Sequence, residues 1–235
     1  MLNTVPATVS PAVDLAANWE KLTPTLIESI QQTVFLVGTT LIVGGFFGLI
    51  LGVILFTSRK GGILQNSVAY WVINILVNFF RPIPFIILVA FIGPLTKLVM
   101  GGTTIGTKPA AFVMAFAATF AVARIVEQNL VALDPGIIEA ARSMGAGPFT
   151  IIRTVILPEA LGPLILGYTF LFIAIVDMSA MAGYVGGGGL GDFAITYGYR
   201  AFDNEVTYVA TLIIIVIVQI AQLFGNWLSK KVLRR

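Results

Sequence analysis

Residues 33–56 read TVFLVGTTLIVGGFFGLILGVILF, without one charged side chain. A helix needs about 20 consecutive apolar residues to cross a bilayer core. This stretch therefore predicts a membrane-spanning helix and makes lipid the solvent of the fold. The composition of the 235 residues agrees. Hydrophobic residues make up 57% and charged residues 11%, against about 25% charged in soluble domains; mean hydropathy is +0.96. Four more segments qualify: 68–92, interrupted by Arg81-Pro82-Ile83-Pro84, then 110–131, 161–183 and 206–228. The expected fold is all-α, a polytopic membrane protein with five transmembrane helices. An odd number puts the termini on opposite sides.

Lysine and arginine orient the spans, because they concentrate on the cytoplasmic side. With the N-terminus outside, the inner segments hold Arg59, Lys60, Arg124, Arg142, Arg153, Lys230, Lys231, Arg234 and Arg235. The outer segments hold Lys21, Lys97, Lys108 and Arg200. The balance favours an external N-terminus and a cytoplasmic C-terminus, and it accounts for the net charge of +3 without a nucleic-acid partner. No cleavable signal peptide is expected, since the first 20 residues lack a basic start and a continuous apolar run. Residues 1–24 read as a mobile tail, and 25–235 as the membrane domain. Thr23 as N-cap and Pro24 at the first helical position would start an interfacial lead-in to the first span.

Several residues within the spans carry structural or functional expectations. Gly44, Gly48 and Gly52 make a small-residue face that allows close helix approach, either to a second copy or, preferably, to the chain's own helices. Pro82 and Pro84 each remove a backbone donor, which predicts a kink and a candidate hinge with Arg81. Arg124 and Glu127, three residues apart, read as a local pair at headgroup level. Asp177 lies near mid-span, where a carboxylate costs about 2.5–3.5 kcal/mol, so it should face the bundle interior, water or a partner donor. Met181, set among Ser179, Ala180, Ala182 and Gly183, is a candidate gate. Asp177, Ser179 and Met181 are the candidate translocation path or gate; Asp177 either contacts a substrate ammonium group there or, preferably, is a protonated, hydrogen-bonded structural residue.

The connector after the third span has its own punctuation. Asp134-Pro135 starts a helix, and Gly145 ends it by taking a left-handed conformation. Ala140 and Ala141 offer a surface without bulk for a partner cleft. Glu139 adds a carboxylate near the helix start. Pro148 begins a second helical piece leading to Leu157-Pro158. The chain lacks His and Cys, and its carboxylates are scattered, so no catalytic residues and no metal site are expected. The glycine run 186–191 lacks the Lys and hydroxyl of a phosphate loop; it reads as a flexible or close-packing element.

The order Glu139-Ala140-Ala141, three residues, Gly145, nine residues, Val155, one residue, Leu157-Pro158 resembles the signature of permease subunits in ABC importers, with Val155 in place of the usual Ile. Residues 78–88, Ser179–Gly183, 187–191 and Tyr197-Gly198-Tyr199 are similar to motifs of the methionine-import permeases. The resemblance implies a type I importer fold in a bacterial cytoplasmic membrane, with residues 135–145 as a coupling helix. It also implies a homodimer, two ATPase subunits carrying the ATP and magnesium, an extracytoplasmic substrate-binding lipoprotein and a small-molecule substrate. Two departures, Pro82 and Asp177-Met178, lie on the expected path. The alternative is an ATP-independent secondary transporter or channel subunit, which would need ionisable residues along an ion path.

Overall fold

The computed structural model describes residues 15–233, which are helical in all long segments, with no strand among them. Helix α1 runs without a break through Leu15–Thr39, a π turn at Thr40–Gly44 and Gly45–Ser58. It passes straight through Pro24, so the expected cap at Thr23 does not form. The Thr23 hydroxyl instead donates to the Trp19 carbonyl at 2.6 Å. Tertiary packing outweighs the proline: Trp19, Leu22 and Leu26 pack against Phe193, Val206 and Ala210, and the Trp19 indole donates to Glu205 at 2.8 Å. Residues 15–24 therefore belong to the helical body, while 1–14 of the expected tail lie outside the described residues.

The glycine face of α1 packs on the chain's own α5, Thr107–Val131. A Cβ at Gly44, Gly48 or Gly52 would overlap Ala118, Val122 or Val126 respectively. The numbers rise together, so α1 and α5 run in the same direction and the chain must cross back between them. Helix α2, Ser67–Phe80, makes that return. Phe80 stacks on Phe120 with centroids 4.8 Å apart, and Arg124 reaches back to Asn74, so α2 is antiparallel to α5.

The expected second span is not one kinked rod. It bends by 110° between α2 and α3, Phe85–Phe91, and then continues into α4, Gly93–Val99. Neither Pro82 nor Pro84 can donate a backbone N–H, and Pro84 is extended, with ψ 137°. Arg81, Pro82 and Pro84 all sit exposed at the break.

The connector helix α6 is Pro135–Ser143. Helix α7 starts at Pro148 and runs unbroken to Tyr184, with a π turn at Ile152–Ile156; Val185 and Gly186 then leave helical geometry, Gly186 at φ 84°. Helix α9, Asn204–Leu233, lies antiparallel to it: Gly225 abuts Thr169, and Ser229 donates to the Gly162 carbonyl at 3.2 Å. Four helices among the described residues are long and apolar enough to cross a membrane, and counting the bent pair as one span makes five.

Between α7 and α9 the chain folds back as α8, Leu190–Phe193, continued by a π segment at Ala194–Tyr199. The glycine run makes this hairpin possible. Gly191 meets the backbone of Ala180, leaving no room for a Cβ, and Gly188 and Gly189 have φ of 76° and 87°. Helix α1 holds the loop, with Gln32 accepting from the Gly189 N–H at 2.7 Å and Thr33 from the Leu190 N–H at 2.8 Å. Of the two readings of this run, close packing is the one observed.

Candidate coupling helix and translocation face

Helix α6 is closed at both ends. The Asp134 carboxylate accepts from the Gly136 N–H at 2.9 Å, and Pro135 occupies the first turn, where its missing N–H costs nothing. At the other end, the Ala146 N–H donates to the Ala141 carbonyl at 3.1 Å and the Gly145 N–H to the Arg142 carbonyl at 2.9 Å. That pair of bonds is a Schellman closure, and Gly145 supplies its left-handed residue at φ 80°. So short a helix is marginal alone in water. It is held by packing of Ile138, Ala141 and Ala146 with Phe56, Ile151 and Ile156.

This packing changes the roles within the signature. Ala141 is only 2% exposed, so it anchors α6 to its own chain and does not present a bare surface to a partner. Glu139 and Ala140 remain exposed. Glu139 lies one turn into the helix, beyond the reach of the dipole effect expected for it. Two residues that sequence reading passed over stand out beside them: Met144 is 80% and Phe149 74% exposed. They flank the Schellman turn, Met144 at the end of α6 and Phe149 in the first turn of α7. Their one signal in the sequence was adjacency to Gly145 and Pro148.

Leu157 and Pro158 lie within the unbroken α7, just past the π turn. Pro158 cannot return a hydrogen bond to the Thr154 carbonyl, and the wide turn before it absorbs the break without ending the helix. The four residues from Met144 to Gly147 thus join α6 directly to the long helix α7.

On α7, Phe170, Ile173, Asp177, Met181 and Tyr184 recur at helical spacing and are all exposed. Asp177 therefore does not face its own bundle interior. It has no hydrogen bond or ion pair among the described residues. Ser179 lies off this face: it is buried, and its hydroxyl donates to the Val176 carbonyl at 2.8 Å. Ser179 is thus not on the face that carries Asp177 and Met181. Phe85 of α3 packs in the same cluster as Met178, which brings the proline bend alongside the Asp177 face.

Arg124 and Glu127 do pair, but not as a solvated headgroup couple. Glu127 is buried, and Arg124 also donates to Asn74 at 2.9 Å and to Asn78 at 2.6 Å. The four residues form a polar clamp joining α2 to α5.

The sequence and the fold are similar to those of known transport proteins. Residues 44–234 match the family model described as "Binding-protein-dependent transport system inner membrane component". The probable D-methionine transport system permease protein MetI of Vibrio cholerae is 42% identical over 207 residues, 88% of this chain and 92% of the relative. The methionine import system permease protein MetP of Bacillus subtilis is 40% identical over 182 residues, 77% and 82% of the two chains. Among solved structures, the inward-facing MetNI methionine ABC transporter matches with a TM-score of 0.87 and 36% identity, over 91% of this chain and 98% of the other. An amino acid ABC transporter with TM-score 0.75 and 21% identity shares the fold. By sequence along nearly its whole membrane domain, and by fold, the chain belongs to the inner membrane components of binding-protein-dependent transport systems.

Proposed function

We propose that the chain is the membrane-spanning permease of an ATP-driven ABC importer for methionine or a related amino acid. It works as a homodimer bound to two ATPase subunits and is fed by an extracytoplasmic substrate-binding lipoprotein. One observation carries the reading: a helix capped at both ends, exposing Glu139, Ala140 and Met144, is rooted by Ala141 in the bundle and joined to a long membrane helix. ATP and magnesium belong to the partner subunits, and this chain contributes force transmission and a path. With the N-terminus outside, α6 lies in the cytoplasm, where those ATPases are. A reporter after Arg235 is then expected to be cytoplasmic and one before residue 20 external; both on one side would remove the orientation.

In this mechanism, closure of the two ATPases displaces α6, and the Schellman turn passes the motion to α7. The Asp177–Met181 face then tilts against its counterpart in the second copy. Met181 closes the path as an adaptable apolar gate, and the Arg81–Pro84 bend beside it is the hinge. Lipid would penalise the polar Asp177 side chain, so it faces water or substrate in the central cavity. Asp177→Leu is expected to lower uptake about tenfold, the loss of one hydrogen bond to a charged group. Asp177→Asn should keep the protein folded and more active than Leu. Normal uptake by the Leu variant would take this residue out of the path.

Uptake of labelled methionine into proteoliposomes holding the permease, its cognate ATPase and the binding lipoprotein tests the whole assignment. Uptake that needs ATP and is competed by unlabelled methionine is the expected outcome. ATP-driven uptake of a different solute would overturn the substrate alone. ATP-independent transport would favour the secondary-transporter reading.

A further inference from the structure

We propose that the groove between α1, α7 and α9 is a binding site for an anionic phospholipid. One acyl chain lies in the groove and the headgroup sits against Lys230 and Lys231. Ile42, Phe46 and Leu49 of α1 form one wall, Phe224 of α9 the other, and Leu161 and Ile165 of α7 the floor of a space of about 580 Å³. Helices α1 and α9 meet at one end, through Trp19 and Glu205 and again where Leu41, Ile214 and Val218 join one cluster. Beyond that point the groove opens between them toward the C-terminal end of α9. Its two polar side chains are already satisfied: the Tyr168 hydroxyl donates to the Gly45 carbonyl and the Thr169 hydroxyl to the Ile165 carbonyl, both at 2.7 Å. What remains is purely apolar.

The occupant follows from where the polar groups are. Tyr168 and Asp177 are half a turn apart around α7. The face that cannot meet lipid is thus directly opposite the groove, and the second copy is expected on that opposite face. In a bilayer, apolar surface gives a second protein no hydrophobic reason to fill the groove, since lipid tails are equally apolar. The charge at the open end selects the headgroup. Phe224, Leu228 and Lys231 continue one stripe of α9, the Lys231 ammonium lies 5.1 Å from the Trp227 ring, and Lys230 precedes it. No acidic residue follows Glu205 in α9. Glu159 of α7, two residues from Leu161, points to the far side of that helix. Basic residues closing an apolar groove beside an interfacial tryptophan are the elements of anionic lipid recognition. The orientation proposed above makes this the inner leaflet; the groove and its lysines do not depend on that orientation.

The test is native mass spectrometry of the full-length permease, titrated with phosphatidylglycerol and with phosphatidylethanolamine of the same acyl chains. Phosphatidylglycerol is expected to bind more tightly, and Lys230→Gln and Lys231→Gln each to weaken it about fivefold, the value of one lysine near an anionic surface. Ala221→Phe, which fills the groove without touching the charge, should weaken both lipids alike. Equal binding of the two lipids, or phosphatidylglycerol binding indifferent to the lysine and Ala221 variants, overturns the proposal. The chain has no cysteine, so Ile42→Cys and Phe224→Cys also report the rival occupant. A disulfide between two protomers at either position would put a second copy in the groove instead.

Discussion

Gly145→Val and Ala140→Trp are expected to abolish ATP-driven uptake while leaving the permease inserted and dimeric. At Gly145 the cause is backbone conformation alone. A Cβ there would meet no atom within 4 Å, but φ is 80°, a region poorly suited to a β-branched residue. Holding it there costs about 1–3 kcal/mol, and relaxing it opens the Schellman closure that joins α6 to α7. At about 1.4 kcal/mol per tenfold, docking of the ATPase would weaken by roughly tenfold to a hundredfold. Ala140→Trp reaches the same end by bulk, because Ala140 is exposed on the partner side of the helix. Gly145→Ala should fall between Val and wild type. Vesicle uptake and ATPase pull-down on the full-length permease are the measurements. Wild-type values for both Val and Trp would leave the connector without a coupling role.

Ala141→Trp is a different experiment, and the difference shows where sequence reading stopped. The spacing of the signature is local, so the helix, its Asp134 cap and its Gly145 terminator were all legible. Which of two adjacent alanines faces outward depends on Ile151 and Ile156 of the next helix and on Phe56, about 85 residues earlier in the chain. A tryptophan at 141 would enter that cluster and damage the permease itself. The same limit explains Pro24, where local cap chemistry was overruled by Trp19 packing against distant helices. It explains Ser179 too, since only the face of α7 decides whether a hydroxyl reaches the path. The bend at Pro82–Pro84 was readable as a break, because two prolines remove two donors. Its 110° extent was not, because the angle is set by where α3 finds partners. The glycine face was read as close packing on either of two partners, and the rising series Ala118, Val122, Val126 identifies the partner as α5.

Arg124→Ala is expected to cost more than any other single exposed-to-buried change in the bundle, because it leaves Glu127 charged, buried and without its counterion. Breaking a buried pair from one side costs about 3–5 kcal/mol in soluble proteins. Interhelical polar contacts in membranes average about 0.6 kcal/mol, and the two figures disagree because they describe different losses. The membrane value measures a contact traded for another partner; the soluble value includes an orphaned charge. Arg124 here also carries the donors for Asn74 and Asn78, so its removal takes away the polar tie between α2 and α5 as well as the counterion, leaving only the apolar packing of Phe80 on Phe120. The expected result is a sharp fall in thermal stability of the solubilised permease and in its folded yield. Arg124→Leu with Glu127→Leu should recover much of the loss, since no charge is then left alone. If the single and double variants are equally mild, Glu127 has found water, and the clamp is a solvated headgroup pair after all. If the double variant is the worse, the two side chains contribute separately through packing, and their charge pairing is not what joins the helices.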